Sequence, residues 1–112
     1  NDCTDFSFGK YEIKDIYVNG CGDKGISLGE TSHLKLDKLV AKNTDIAVAS
    51  KDYGKLIAND ILIKDVKTCL SAYKKKQEFS GGTMILNKMK CQNFSYKMKK
   101  DQASKIKFNN NL

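Results

Sequence analysis

The chain has 112 residues, 20 basic side chains that are all lysine, and 13 acids, for a net charge of +7. Proline is absent and 40% of residues are hydrophobic, which excludes proline-rich linkers and fits one folded domain with limited core volume. No apolar run approaches the ~18 residues of a membrane-spanning helix.

The chain opens on Asn1 without an initiator Met, a basic leader or an apolar leader. The expectation is a mature, trimmed or excised chain with no targeting signal. Phe6 and Phe8 in DFSFG start a series of short alternating stretches: IKDIYV at 13–18, ISL at 26–28, LKL at 34–36 and KIKF at 105–108. Alternation with period two sends one set of side chains inward and the other outward. Small or polar turns separate the stretches: VNGCG at 18–22, SGG at 80–82 and the asparagines at 109–110.

These stretches recur. Residues 18–30 and 40–52 overlay at a shift of 22, matching Val18 with Val40, Asp23 with Asp45, Ile26 with Val48 and Glu30 with Asp52. A second shift of 22 matches Val40 with Leu62 and Val48 with Leu70. After an insertion at about 75–83, the next unit places Tyr96 and Met98 where Leu70 and Ala72 stood. Upstream, Phe6 and Phe8 fill the places of Ile26 and Leu28, and IKFNNNL begins a further unit. A unit this short folds only by stacking on its neighbours. The expected fold is therefore an all-β solenoid of about 22 residues per coil, forming one domain over 1–112, and the resemblance given next makes it a right-handed parallel β-helix. A leucine-rich repeat lacks its signature here. A small antiparallel sandwich is the other β alternative. Residues 65–78 carry a helix-like face (Val66, Leu70, Tyr73), yet they align with two strand-like units and are read as strand plus loop.

The motifs DKGISLGETS at 23–32, IAVASKD at 46–52, AYKKKQEFSGG at 72–82 and NDCTDFSFG at 1–9 resemble bacterial right-handed parallel β-helix proteins of the pectate-lyase-like, carbohydrate-associated type. The resemblance covers roughly residues 1–105. It implies ladders of inward aliphatics, a long surface groove and glycan partners. It also implies more coils than this chain holds, as in the C-terminal part of a longer solenoid.

In such a coil, Ile26, Val48 and Leu70 form one inward ladder and Val18, Val40 and Leu62 another; beside the first, Leu28 is followed by the smaller Ser50 and Ala72. Four cysteines allow three pairings. Stacking brings Cys69 to a position similar to Cys91, which favours Cys69–Cys91 with Cys3–Cys21 and an oxidising compartment. Stacked free thiols are the alternative. With one histidine and no CxxC, zinc spacing is absent, and no metal or cofactor is expected.

Candidate catalytic acids are Glu30 and Asp52, one coil apart, and the pair Asp23 and Asp45. Two carboxylates at coil spacing suit glycosidase chemistry, but capping of turns explains them equally well. Candidate ligand-binding residues are Lys51, Lys74, Lys75 and Lys76 with Tyr73 and Phe79, a basic and aromatic set suited to an acidic glycan; Lys24 lies close to it in the coil. His33 has no nucleophile motif beside it and reads as a turn or surface residue, and Asn93-Phe94-Ser95 is a formal sequon. The lysine run near the C terminus reads as a blunted coil edge. Dispersed lysines without arginine count against nucleic acid. The expected function is an extracellular or bacterial cell-surface module binding carbohydrate. The alternatives are a fragment of a polysaccharide lyase, hydrolase or epimerase, and a structural coil with a homo-oligomeric or other protein partner at its open end.

Overall fold

The computed structural model describes residues 1–109. Asn110, one of the two turn asparagines expected above, lies outside the described residues, as does the end of IKFNNNL. Seven strands form: β1 (Thr4–Phe6), β2 (Gly9–Asn19), β3 (Lys24–Leu28), β4 (Ser32–Lys51), β5 (Lys55–Tyr73), β6 (Thr83–Lys100) and β7 (Lys105–Phe108). Every strand pairing is parallel, and the described residues contain no helix. The chain is a β-solenoid of about five stacked coils, with β4 to β5 stepping by 22 residues.

Each long strand bends around corners, which divides a coil into three faces. Face A comprises 9–13, 32–36, 55–58, 83–86 and 105–108. Face B comprises 15–19, 38–42, 60–64 and 88–92. Face C comprises 4–6, 24–28, 46–51, 68–73 and 96–100. Between A and B the pairing skips Lys14, Asp37, Asn59 and Asn87. Between B and C the chain passes through positive φ at Gly20, Asn43, Asp65 and Asn93 (75°, 52°, 60° and 57°). Glycine, asparagine and aspartate tolerate this left-handed backbone best, so residue type marks the corner.

The core is a bundle of columns. Ile26, Val48 and Leu70 stack in register as the alternation predicts, with Met98 next. The column Leu28–Ser50–Ala72 narrows as expected. Tyr11, Leu34, Leu56, Met84 and Ile106 form a face A column, and Ile16, Leu39, Ile61 and Met89 a face B column. Each coil buries its inner side chains only because another coil lies above and below.

Several register expectations need correction. Val18 sits on Ala41, then Ile63 and Cys91, so Val18, Val40 and Leu62 are not one inward ladder. The shift across β2 is 23, because 19–24 takes one residue more than 42–46. Phe6 fills the place of Leu28, Thr4 that of Ile26, and Phe8 lies at the turn beside Glu30. Met98 takes the place of Leu70, and Tyr96 that of Thr68. Residues 65–78 are strand through Tyr73 and then loop. The shift rises from 22 to 28 between β4–β5 and β5–β6, so the loop at 74–82 holds six extra residues.

Both disulfides, Cys3–Cys21 and Cys69–Cys91, form with the expected partners. Their geometry differs from stacked equivalents. Cys91 lies over Ile63 in register, and the two members are 22 residues apart where the local step is 28. The bond therefore runs diagonally from face C of one coil to face B of the next, around the Asn93 corner. Two such bonds point to an oxidising compartment.

Candidate functional site

The outward side of face A gathers three parallel stripes. The first is Lys10, His33, Lys55, Thr83 and Lys105. The second is Glu12, Lys35, Ile57, Ile85 and Lys107. The third is the corner stripe of Lys14, Asp37, Asn59 and Asn87. Alternation forces this arrangement: with Leu34, Leu36, Leu56 and Met84 inside, every second residue faces solvent. Successive members of a stripe lie one coil apart, about 4.8 Å.

A groove of about 710 Å³ runs along the second and third stripes, lined by Lys14, Lys35, Ile57, Asn59, Ile85 and Asn87 among others. Its floor is ordered by an amide ladder. Asn59 Nδ2 donates to Asp37 Oδ1 at 3.1 Å, and Asn87 Nδ2 donates to Asn59 Oδ1 at 2.8 Å. Each amide has a second N–H beyond the one used in the ladder. Ile57 and Ile85 give the wall an apolar strip, with Ile57 38% exposed. Six lysines (10, 14, 35, 55, 105 and 107) against Glu12 and Asp37 make the face cationic. A smaller depression of about 300 Å³ lies at its edge, between His33, Tyr53, Lys55 and Lys105.

Of the expected ligand residues, Phe79 adjoins this face. Phe79 meets Tyr53 edge to face, with ring centroids 5.7 Å apart, so the loop at 74–82 adjoins the smaller depression. Tyr73 is half-buried elsewhere and is not the partner of Phe79; burial pushes its phenol pKa upward. Lys76 Nζ donates to Glu30 Oε2 at 2.8 Å, and this hydrogen bond holds its ammonium above the ordinary lysine range. Lys51 Nζ reaches Ser27 Oγ at 3.4 Å. Lys74 and Lys75 expose their side chains while their backbone N–H groups donate to Asp101 and Asp52 respectively.

The candidate acids are engaged in structure. Asp52 is fully buried, and its Oδ1 accepts the N–H groups of Lys75 (2.8 Å) and Lys76 (3.1 Å). Glu30, its neighbour one coil below, holds Lys76 from the side. Asp23 pairs with Lys24 at 2.9 Å, and that hydrogen bond pulls its carboxyl below the usual range. Burial opposes the charge on Lys24, yet the hydrogen bond to Asp23 together with the nearby Tyr73, Asp2 and Asp23 charges outweighs it and raises the ammonium pKa. Asp45 is exposed, beside a shallow depression with Asp65 and Asn93. Among the described residues, no group of three or more His, Cys, Asp or Glu side chains is placed to hold a metal ion.

Sequence reasoning fixed on the irregular loop and missed the regular face. The signal was present: Asp37, Asn59 and Asn87 recur two residues after Lys35, Ile57 and Ile85. Only writing out the outward columns, with the six-residue insertion placed correctly, exposes it. No family model, no curated protein and no solved structure matches the chain.

Proposed function

We propose that this chain is a rigid, extracellular or cell-surface binding module for an acidic polysaccharide, seated along the outward side of face A. The observation that carries the reading is the 710 Å³ groove with its hydrogen-bonded amide floor and lysine flank. Amides at coil spacing suit the repeating hydroxyls of an extended sugar chain. Lysines suit its carboxylates or sulfates, and Ile57 and Ile85 suit the apolar faces of sugar rings. Tyr53, packed against Phe79, offers a ring in the smaller depression at the other edge of face A. The resemblance to bacterial carbohydrate-associated β-helices supports the same ligand class. Binding is favoured over catalysis because Glu30, Asp52 and Asp23 are each committed to a lysine or to loop N–H groups.

Affinity electrophoresis through gels containing polygalacturonate or heparin, at low and high salt, tests the proposal. Retardation that weakens with salt is expected, since exposed charges are screened within a Debye length of about 10 Å at 0.1 M. Lys35→Glu with Lys55→Glu removes it, and Tyr53→Ala reduces it. Lys74→Ala with Lys75→Ala reports whether the adjoining loop contributes. Absence of retardation by these and neutral glycans at every salt concentration overturns the reading.

A further inference from the structure

Charge on the outward side of face A alternates from coil to coil. One row presents Lys10, Glu12 and Lys14, and the next His33, Lys35 and Asp37. Lys55, Ile57 and Asn59 follow, then Thr83, Ile85 and Asn87, then Lys105 and Lys107. With His33 neutral, the formal net charges of these rows are +1, 0, +1, 0 and +2. In the first stripe a cation returns at every second coil, as Lys10, Lys55 and Lys105, or about 10 Å apart. The uncharged row at Thr83 still carries chemistry. Asn87 Nδ2 donates to Asn59 Oδ1 at 2.8 Å, and its amide has a second N–H and a carbonyl oxygen besides. Ile85 lies beside it in the groove. A second depression of about 280 Å³, lined by Lys10, His33 and Lys55, shares Glu12, Lys35 and Ile57 with the groove. The lysine stripe and the amide ladder therefore border one continuous surface.

Given an acidic polysaccharide on face A, as proposed above, we infer that its backbone alternates uronic acids with neutral N-acetylated sugars, one carboxylate per disaccharide. An extended hexose chain lying along the solenoid axis advances about one coil spacing, 4.8 Å, per sugar. Successive sugars therefore meet successive coils. In one phase, the carboxylates fall on the rows of Lys10, Lys55 and Lys105. The sugars between them meet the rows of His33 and Thr83. A carboxylate at the Thr83 row would lose water against Ile85 and gain no cation, and one at the His33 row would meet Asp37 along with Lys35. An acetamido group suits the Thr83 row instead. Its methyl packs on Ile85, and its N–H and carbonyl pair with the amide of Asn87. A uronic acid homopolymer carries a carboxylate at every coil and leaves every second one poorly matched.

Titration calorimetry at physiological salt tests the inference with three hexasaccharide probes. These are a hyaluronan hexasaccharide, which alternates glucuronate with N-acetylglucosamine, hexagalacturonate, and the neutral chitohexaose. The hyaluronan probe should bind about tenfold or more tightly than either of the others, since poorly matched polar groups are costly. Asn87→Ala should lower its affinity about fivefold and leave that of hexagalacturonate unchanged. His33→Lys with Thr83→Lys puts a cation in every row of the first stripe and should shift preference toward hexagalacturonate. These side chains lie on the outward side of the coil, and circular dichroism confirms the fold of each variant. Hexagalacturonate that binds as tightly as the hyaluronan probe, or a preference that both variants leave unchanged, overturns the alternation and leaves the acidic polysaccharide reading standing. Binding of chitohexaose alone, or of no probe, overturns both.

Discussion

The buried carboxylate of Asp52 accepts the backbone N–H of Lys75 at 2.8 Å, across the turn from one coil to the next. The same oxygen takes Lys76 N–H at 3.1 Å, so one side chain anchors the start of the longest loop. The lysine-rich segment is thereby presented in one shape.

Asp52→Asn tests that anchor. Asparagine keeps the left-handed backbone (φ 51°) and one carbonyl acceptor but loses the charge. A loss of about 1 kcal/mol is expected, and about 2–3 kcal/mol for Asp52→Ala, which also strands two N–H donors. Urea unfolding measures the loss. Hydrogen exchange at 74–82 should rise before global unfolding.

Leu70 and Met98 share a column and differ in cover, at 0% and 46% exposed. Leu70→Ala should cost about 2–5 kcal/mol and Met98→Ala under about 1 kcal/mol. Equal costs in denaturant titrations would mean the C-terminal end is covered in solution.

Gly82 packs directly on the backbone of the coil below, and a Cβ there would overlap the carbonyl of Ser50. The expected role of Gly81 and Gly82 was a sharp turn. Instead, both are small because backbone and the Ser104 hydroxyl lie against them. Gly82→Ala should cost about 1–3 kcal/mol as overpacking, read as a lower melting temperature.

Asp101 is held below the usual carboxylate range, chiefly by the Ser104 hydroxyl and then by Lys74 N–H. Asp23 is lowered by Lys24. A carboxyl with a depressed folded pKa contributes stability above its unfolded value and loses it as pH falls through the folded one. Stability should therefore be level above about pH 5 and decline as pH falls below about 4, the ordinary aspartate value, through the lowered folded ones. Asp101→Asn should flatten part of that decline in unfolding curves taken across the acid range.

The coil was legible because its physics is local and repeated. Ile26, Val48 and Leu70 announce a column at constant spacing, and left-handed corners select asparagine, aspartate and glycine. Register errors arose where spacing changed: one extra residue before Lys24 displaced Val18 from Val40, and six in the loop displaced Tyr96 and Met98 by two. The disulfide partners were legible although their geometry was not, since a diagonal bond around a corner does not follow the repeat. Face A was hidden for another reason. Its lysines and asparagines are ordinary surface residues until stacking aligns them, and nothing in one unit marks them.

The step of 28 between β5 and β6 bears on how such a chain can change over time. Six added residues leave the pitch untouched, because the excess projects sideways at a corner and every ladder above resumes in phase. Contour length and axial length are thus decoupled. The corner holding 74–82 is a natural port for longer inserts, while the corners at Asn43 and Asn59 keep the regular step between β4 and β5, and the lateral profile of the rod can vary without retuning its stacking.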